Sequence, residues 1–487
     1  MTISFLKRAK PRFFVFTGSL FFGILHLHAQ TNNLAPVTAP DTSKTNFLQP
    51  VTQLSGADSS LTLKQCIDYA MIHQPALNQS LINISIARQT NAINLATWLP
   101  QVNASGDLVH YIQSPKNGTT VATGGGTTTG STTTTPTTGV SSKGSSYSNS
   151  FIPGVTVSQN IFTPSLLYAS RSAPLYIKQA QQVTDSTKIF VVTAVTKSFY
   201  NVLLTLEQIN VLKEDTTRLG KSLRDAYHQY KGGIVDETDY EEAAITLNNS
   251  MAQLKQANEN VIPQYASLKQ LMGYPPQKQF NVSFDTVEMA NNIHIDTMQQ
   301  LQYEKRIEYQ QLANNKNLQA EAVHYYKYAF LPTVSAFYNY NLAYENDRLS
   351  NLFSTSYPNS LVGLSLSIPI FTGLSRVHNL QKAKLQEQLL DWDQVNLKSQ
   401  IYTEYTSALA NYKGNYYNLQ LLQKNVNMAR RVYFVVTLQY KQGIVPYLNV
   451  ITAESNLISS EISYLNALFQ VLSNKVDLEK AMGNVTY

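Results

Sequence analysis

The 487-residue chain has one cysteine, two tryptophans and only 14% Asp, Glu, Lys and Arg, against roughly 25% in an average soluble domain. A single Cys66 excludes an intrachain disulfide and any CxxC redox or metal motif. The low charge and 43% hydrophobic content exclude an acidic disordered chain, and 21 Gly with 18 Pro exclude a collagen-like one. Apart from the N-terminus, no run reads as both long and apolar enough for a spanning helix, so a membrane role would fall to β-strands or to surface contact. There is no HExxH, GxSxG or Walker-type phosphate loop. The histidines beyond the leader, at 73, 110, 228, 294, 324 and 378, show no ligand spacing. Cys66, beside Ile67 and Ala70 on a helical face, reads as a packed, inert thiol. These observations point to no enzyme, no metal and no cofactor.

What replaces charge is Tyr (30 residues), Thr, Ser, Asn and Gln. The formal charge of +6 includes Lys7, Arg8, Lys10 and Arg12, with no acid before Asp41, so removing that segment leaves 6 − 4 = +2. That is too little for a nucleic-acid footprint. The basic cluster precedes an apolar run from Phe13 to Leu25 and a small residue at Ala29, the pattern of a secretory signal over 1–29. No cysteine follows to take a lipid. Residues 30–60 read as a flexible polar segment, and the Gly/Thr/Ser-rich stretch 113–150 as a long projecting loop.

The chain repeats itself. Tyr230-Lys-Gly-Gly-Ile-Val-Asp236 is echoed 210 positions later by Tyr440-Lys-Gln-Gly-Ile-Val-Pro446, and Leu271-Met-Gly273 by Ala481-Met-Gly483. Nearby offsets relate Ile161-Phe-Thr163 to Ile370-Phe-Thr372 and Trp98-Leu-Pro to Phe330-Leu-Pro. A tandem duplication follows, with a first repeat at 61–274, a linker at 275–296 and a second repeat at 297–487.

Each repeat has the same grammar. A helical run, capped in the first copy by Asp58 or Ser59, stops at Leu-Pro. Two period-two segments follow, with Val362, Leu364, Leu366, Ile368 and Ile370 set against small or polar neighbours. Their counterparts are Val102 to Leu108, Val155 to Ile161 and Val334 to Leu342, giving one hairpin per repeat with loops at 113–150 and about 345–360. Then comes a long heptad-like seam: Val192, Val195, Phe199, Val202, Leu206 and Ile209 in one copy, Leu419, Leu422, Val426, Ala429, Tyr433, Val436 and Tyr440 in the other. Ile451, Ile458, Ile462, Leu465, Phe469 and Leu472 carry the rhythm back. The stretch 375–440 alone predicts roughly 100 Å of helix.

Four strands cannot close a membrane barrel, whose lower limit is about eight. Open edges in lipid would leave amides unpaired at several kcal/mol each. Three copies would supply twelve strands in a C3 cylinder. Tyr111, Phe151, Phe162, Phe337, Tyr338, Tyr340, Tyr344 and Phe371, near the strand ends, suit interfacial girdles.

The signal, the duplicated helix-hairpin-helix halves, the Leu-Pro entries, the Ile-Phe-Thr exits and the paired Tyr-Lys-x-Gly-Ile-Val turns together resemble the TolC-like outer-membrane efflux and export proteins. The resemblance covers nearly all of the chain beyond Leu61. It implies an α+β membrane protein: a tandem-duplicated antiparallel coiled-coil tunnel, with four strands contributed to a shared twelve-strand barrel of a homotrimer in outer-membrane lipid. It implies passive conduction for a tripartite efflux or type I secretion system, with a periplasmic adaptor (membrane fusion) protein and an inner-membrane RND or ABC pump as partners. Carried across residue by residue, it places Tyr230, Gly233, Ile234, Val235 and Asp236, with Tyr440, Gly443, Ile444, Val445 and Pro446, in two adaptor-docking tip turns. The bare-residue alternative is a plain helix turn with Ile and Val buried locally. Relatives that carry paired acids after the second turn would match Asn449 and Thr452 here; acids fall instead in the first half, including Asp239 and Glu242. These four are the candidate aperture residues. The competing reading is a periplasmic coiled-coil adaptor or scaffold without a pore, which leaves the four strands unexplained.

Overall fold

A computed structural model describes residues 60–112, 147–283, 293 and 299–486. The expected signal, the flexible N-terminal segment apart from Ser60, and most of the 113–150 loop lie outside them, as do Asp58 and Ser59.

The chain enters through a two-residue strand β1 (Ser60–Leu61) and helix α1 (Leu63–His73). Thr62 caps α1: its hydroxyl accepts from the Gln65 amide, and the Gln65 side chain accepts from the Thr62 amide. This reciprocal box satisfies two amides that the first turn would otherwise leave open. Helix α2 (Pro75–Ala96) ends three residues before Leu99-Pro100, since the residue ahead of proline avoids the helical region.

Strands β2 (Gln101–His110) and β3 (Asn149–Phe162) form the first hairpin, and helices α3 (Pro164–Lys231) and α4 (Glu237–Met272) the first long coil. Past β4 (Asn281–Val282), which pairs in parallel with β1, the pattern repeats. Helix α5 (Ile307–Tyr328) leads to β5 (Thr333–Asn346) and β6 (Ser356–Ser367), then α6 (Ser375–Lys441) and α7 (Tyr447–Met482). The strands run further toward the loop end than the periodicity predicts: β3 already begins at Asn149 and β6 at Ser356. Ile368 and Ile370 lie beyond β6, because Pro369 lacks the amide a ladder needs.

At 1.5 Å per residue, the 68 residues of α3 and the 67 of α6 each extend about 100 Å. The first seam packs as its spacing requires: Val192, Val195, Phe199, Val202 and Ile209 are all buried. Val195, Phe199 and Val202 cluster with Cys66, Ala70, Leu268 and Met272, and Ile209 clusters with Ala257. One 18-residue window of α3 is apolar enough to cross a membrane by length and composition, contrary to expectation, but half of it is buried within the chain. Its apolarity serves this core.

The returning helix α7 corrects the expected seam. Of Ile451, Ile458, Ile462, Leu465, Phe469 and Leu472, only Leu472 is fully buried. The buried face runs instead through Val450, Ala453, Leu457, Ala467, Val471 and Leu478. Helix α7 packs on both α6 and α3, so its buried face lies between those two contacts and leaves Ile451, Ile458 and Ile462 on the flanks.

The four long strands form one antiparallel sheet in the order β2-β3-β5-β6, leaving β2 and β6 as edges. Register decides the faces. Val102, Val157, Tyr338 and Val362 lie across from one another, as do Ala104, Val155, Tyr340 and Ser360. Side chains alternate, so this face also carries Leu108, Phe151, Leu364 and Leu366. The opposite face carries Asn103, Thr156, Asn339, Ser365 and their neighbours. An irregularity between Asn160 and Phe162 keeps Phe162 in line with Val334 on the apolar side.

Candidate docking tip and channel lining

At the far end of the first coil, α3 stops at Lys231 in a Schellman turn. The Gly233 amide donates to the Tyr230 carbonyl (2.9 Å) and the Ile234 amide to the Gln229 carbonyl (2.9 Å). The second coil repeats this atom for atom: Gly443 to Tyr440 (2.9 Å) and Ile444 to Gln439 (2.9 Å). Both glycines sit at φ +71, and a Cβ on either would meet nothing within 4 Å. Glycine is needed here for its backbone alone. Asp236 and Pro446 then hold extended backbone and start α4 and α7.

The turns leave Ile234 at 76% and Ile444 at 69% exposure, with Val235 and Val445 half-buried. Neither isoleucine is buried locally. The necks of the two turns are joined, for the Tyr440 hydroxyl is 2.6 Å from Gln229 Oε1. Beneath them Ala226, Ala243, Tyr447 and Val450 form a buried cluster flanked by Tyr440. Tyr230 stacks on Tyr240, and the Lys231 ammonium lies 5.5 Å from the Tyr230 ring centre.

The four aperture candidates all lie on the first two turns of α4 and α7. Asp239 is half-buried and its charge raises the Tyr440 hydroxyl pKa, after the larger effect of burial. Glu242, Asn449 and Thr452 are exposed. Among the described residues no hydrogen bond or ion pair joins these four side chains to one another; Thr452 donates to the Leu448 carbonyl within its own helix (2.9 Å).

Two charged centres escape a reading of the sequence. About four helical turns from the first tip, Arg218 lies between Asp215 (3.3 Å) and Glu454 (3.4 Å), both carboxylates being almost wholly buried. Burial opposes the arginine charge, but Glu454 and Asp215 more than offset it and raise the guanidinium pKa. Nearer the sheet, Arg306 is buried against the end of α7. It donates to the carbonyls of Lys480 (3.2 Å) and Ala481 (3.1 Å) and pairs with Glu404 (2.7 Å) and Glu308 (3.0 Å). The only sequence signal was the Asp-x-x-Arg spacing at 215–218, which is common on helix surfaces.

On the sheet, Val102, Leu108, Val362, Leu364 and Leu366 are all more than 60% exposed, an apolar band that no other described residue covers. Phe151, Tyr344 and Phe353 cluster at the loop end, with ring centres 5.4 to 6.3 Å apart. Phe337, Tyr338 and Tyr340 depart from the expected girdle, for they lie in the middle part of β5 and not at its ends; Phe337 departs in its face as well. It lies on the polar face over Gly363, where a Cβ would come within 2.7 Å of its ring.

A family model described as outer membrane efflux protein matches residues 66–274 and 308–484. The chain belongs to the outer membrane efflux protein family. Its two matched segments are the two coil-bearing halves. Among relatives, the probable efflux pump outer membrane protein TtgC of Pseudomonas putida is 21% identical over 431 residues, covering 87% of this chain and 83% of its own. Outer membrane protein TolC of Vibrio cholerae is 18% identical over 341 residues, covering 68% and 76% respectively. The crystal structure of CusC superposes with a TM-score of 0.69 at 16% identity, covering 89% of this chain and 95% of CusC. VceC from Vibrio cholerae gives 0.66 at 15%, covering 86% and 96%. These structural likenesses establish the shared tunnel-and-sheet fold.

Proposed function

We propose that three copies of this chain close a twelve-strand barrel in the outer membrane, each giving its β2 edge to the β6 edge of the next. The observation that carries this is the sheet itself: two edges unpaired among the described residues, one face greasy and the other largely polar. A strand of 14 residues spans about 46 Å, or about 35 Å when tilted by 40°, enough for a hydrocarbon layer of about 30 Å. An isolated sheet of this kind is unstable in lipid and sticky in water; closure removes both problems.

In this reading the α3/α4 and α6/α7 coils, the two halves of a tandem duplication at 61–274 and 297–487, continue the barrel as a periplasmic tunnel. The conduit is passive, and energy comes from an inner-membrane RND or ABC pump through a periplasmic adaptor protein. The tip turns at Tyr230 to Asp236 and Tyr440 to Pro446 dock the adaptor, with Ile234 and Ile444 as apolar knobs. Asp239, Glu242, Asn449 and Thr452 border the closed aperture. An efflux channel is favoured over a pore-free scaffold because a scaffold has no use for a sheet with 60–80% exposed Val and Leu on one face.

The test is reconstitution. Detergent-extracted protein should run as a trimer and give conductance steps in planar bilayers, and osmotic shock should leave it in the membrane fraction. Release by osmotic shock as a water-soluble, non-conducting rod would end this reading.

A further inference from the structure

The seam between the two coils mixes apolar contacts with polar rungs. Along α3 and α7 it is pinned by Lys197 on Asp477, Gln208 on Asn466 (3.1 Å) and Arg218 on Glu454 (3.4 Å). Of these three, only the last rung has its carboxylates buried, while Arg218 stays 30% exposed. The Asp215 side chain is 0% and the Glu454 side chain 1% exposed. Asp215 accepts from the Ser250 hydroxyl of α4 (2.6 Å) with one oxygen and from Arg218 with the other. Glu454 receives Arg218 on Oε1; among the described residues its buried Oε2 meets no donor at good hydrogen-bond geometry, and the neighbouring Tyr433 hydroxyl favours its charged form less than burial disfavours it. An ionised carboxylate oxygen that is buried without a well-placed donor is strongly disfavoured.

The groups facing this point come from all four helices. Helix α3 supplies Asp215 and Arg218, α4 the neutral Ser250, α6 Tyr433 (its ring 5.7 Å from Arg218) and Arg430, and α7 Glu454, Glu461 and Tyr447. Glu461 is held by Arg430 (2.8 Å) and bears on Asp215. Three carboxylates against two guanidinium groups leave −3 + 2 = −1 when every acid is ionised. One proton makes the cluster neutral.

We propose that Glu454 and Asp215 form a proton-binding site, and that its occupancy clasps the first coil to the second near the tip. With the proton bound, the seam is electrically neutral. With it released, two buried carboxylates repel across α3 and α7 with a single arginine to share, and the packing that keeps the coils together loosens. The geometry therefore makes seam tightness a function of pH in the compartment around the tip.

The sign is fixed by the direction of the shifts. Burial first, and the Asp215 charge second, push the Glu454 carboxyl up from its ordinary 4.5 to about 7; burial also raises Asp215. A raised acid binds more protons in the folded protein than in the unfolded chain, so its stabilising effect is present below about 4.5 and is lost as pH climbs through about 7. Acid tightens the clasp and alkali loosens it.

Two arms test this on the full-length protein. In detergent, wild type should lose thermal stability between pH 6 and pH 8, and Glu454→Gln should flatten that slope; Asp215→Asn serves the same purpose if the first variant folds poorly. This arm does not depend on the channel reading. In planar bilayers, which does rest on that reading, the deprotonated fraction of a group titrating at about 7 rises about tenfold between pH 6 and pH 8. Open probability should climb by a similar factor in wild type and stay near the low-pH level in Glu454→Gln. An unchanged pH slope in both variants would overturn the proton site. A flattened stability slope with no conductance in any form would retain the site and count against the channel.

Discussion

Val362 lies midway along β6, opposite Tyr338, and is 81% exposed on the apolar face. Ser365, three residues on, points to the other face and pairs with Ser335. Arginine at these two positions separates the two sides of the sheet. At the bilayer midplane a lipid-facing arginine on a barrel costs about 2–4 kcal/mol, whereas a lumen position tolerates charge. At 1.4 kcal/mol per decade, Val362→Arg shifts the insertion equilibrium by about 30- to 700-fold per protomer. In a closed trimer the cost is threefold larger, about 6–12 kcal/mol, comparable to the whole stability of many domains. Ser365→Arg should assemble and alter ion selectivity only. The assay is the yield of heat-modifiable trimer in outer-membrane fractions, with total expression as the control. Equal assembly of the two variants, or a defect confined to Ser365→Arg, would refute the assignment of the lipid face and with it the shared barrel.

Gly273 and Gly483 close α4 and α7 at φ +68 and +73, each against backbone from the start of its own repeat. A Cβ would stand 2.5 Å from the His73 carbonyl oxygen in one case and 2.9 Å from that of Lys305 in the other. Beyond about 1–2 kcal/mol of left-handed strain, Gly273→Ala should therefore lower the thermal midpoint in detergent more than Gly483→Ala. Gly443→Val meets open space, so only turn strain acts; trimers should persist on gels while efflux complementation falls, and normal efflux would remove the docking role. Arg306→Ala should destabilise by about 3 kcal/mol, since buried carbonyls at the end of α7 and two carboxylates lose their donor together. Arg306→Lys should recover only part of this in chemical denaturation, because an ammonium cannot serve four acceptors from one plane.

Much of this architecture follows from local pattern. The 3-4 spacing of Val192 to Ile209 dictates a seam whichever partner it meets, and period two from Val362 to Leu366 dictates a two-faced strand. The paired Tyr-Lys-x-Gly-Ile-Val segments dictate two like turns, because only glycine holds φ near +71 without strain. Leu-Pro marks where helices must stop. These are properties of short stretches of backbone, so a linear string of residues contains them.

What the string leaves open depends on which surfaces meet. Helix α7 has apolar residues on more than one side, and its contact with both α6 and α3 chose Val450, Ala453 and Leu457 over Ile451 and Ile458. Phe337 has the composition of a girdle residue, yet pairing of β5 with β6 set it over Gly363. Asp215 and Glu454 are 239 positions apart and ordinary in their local contexts. Only the packing of four helices takes both out of water around one guanidinium, and burial is what turns two unremarkable acids into a shared site for a proton.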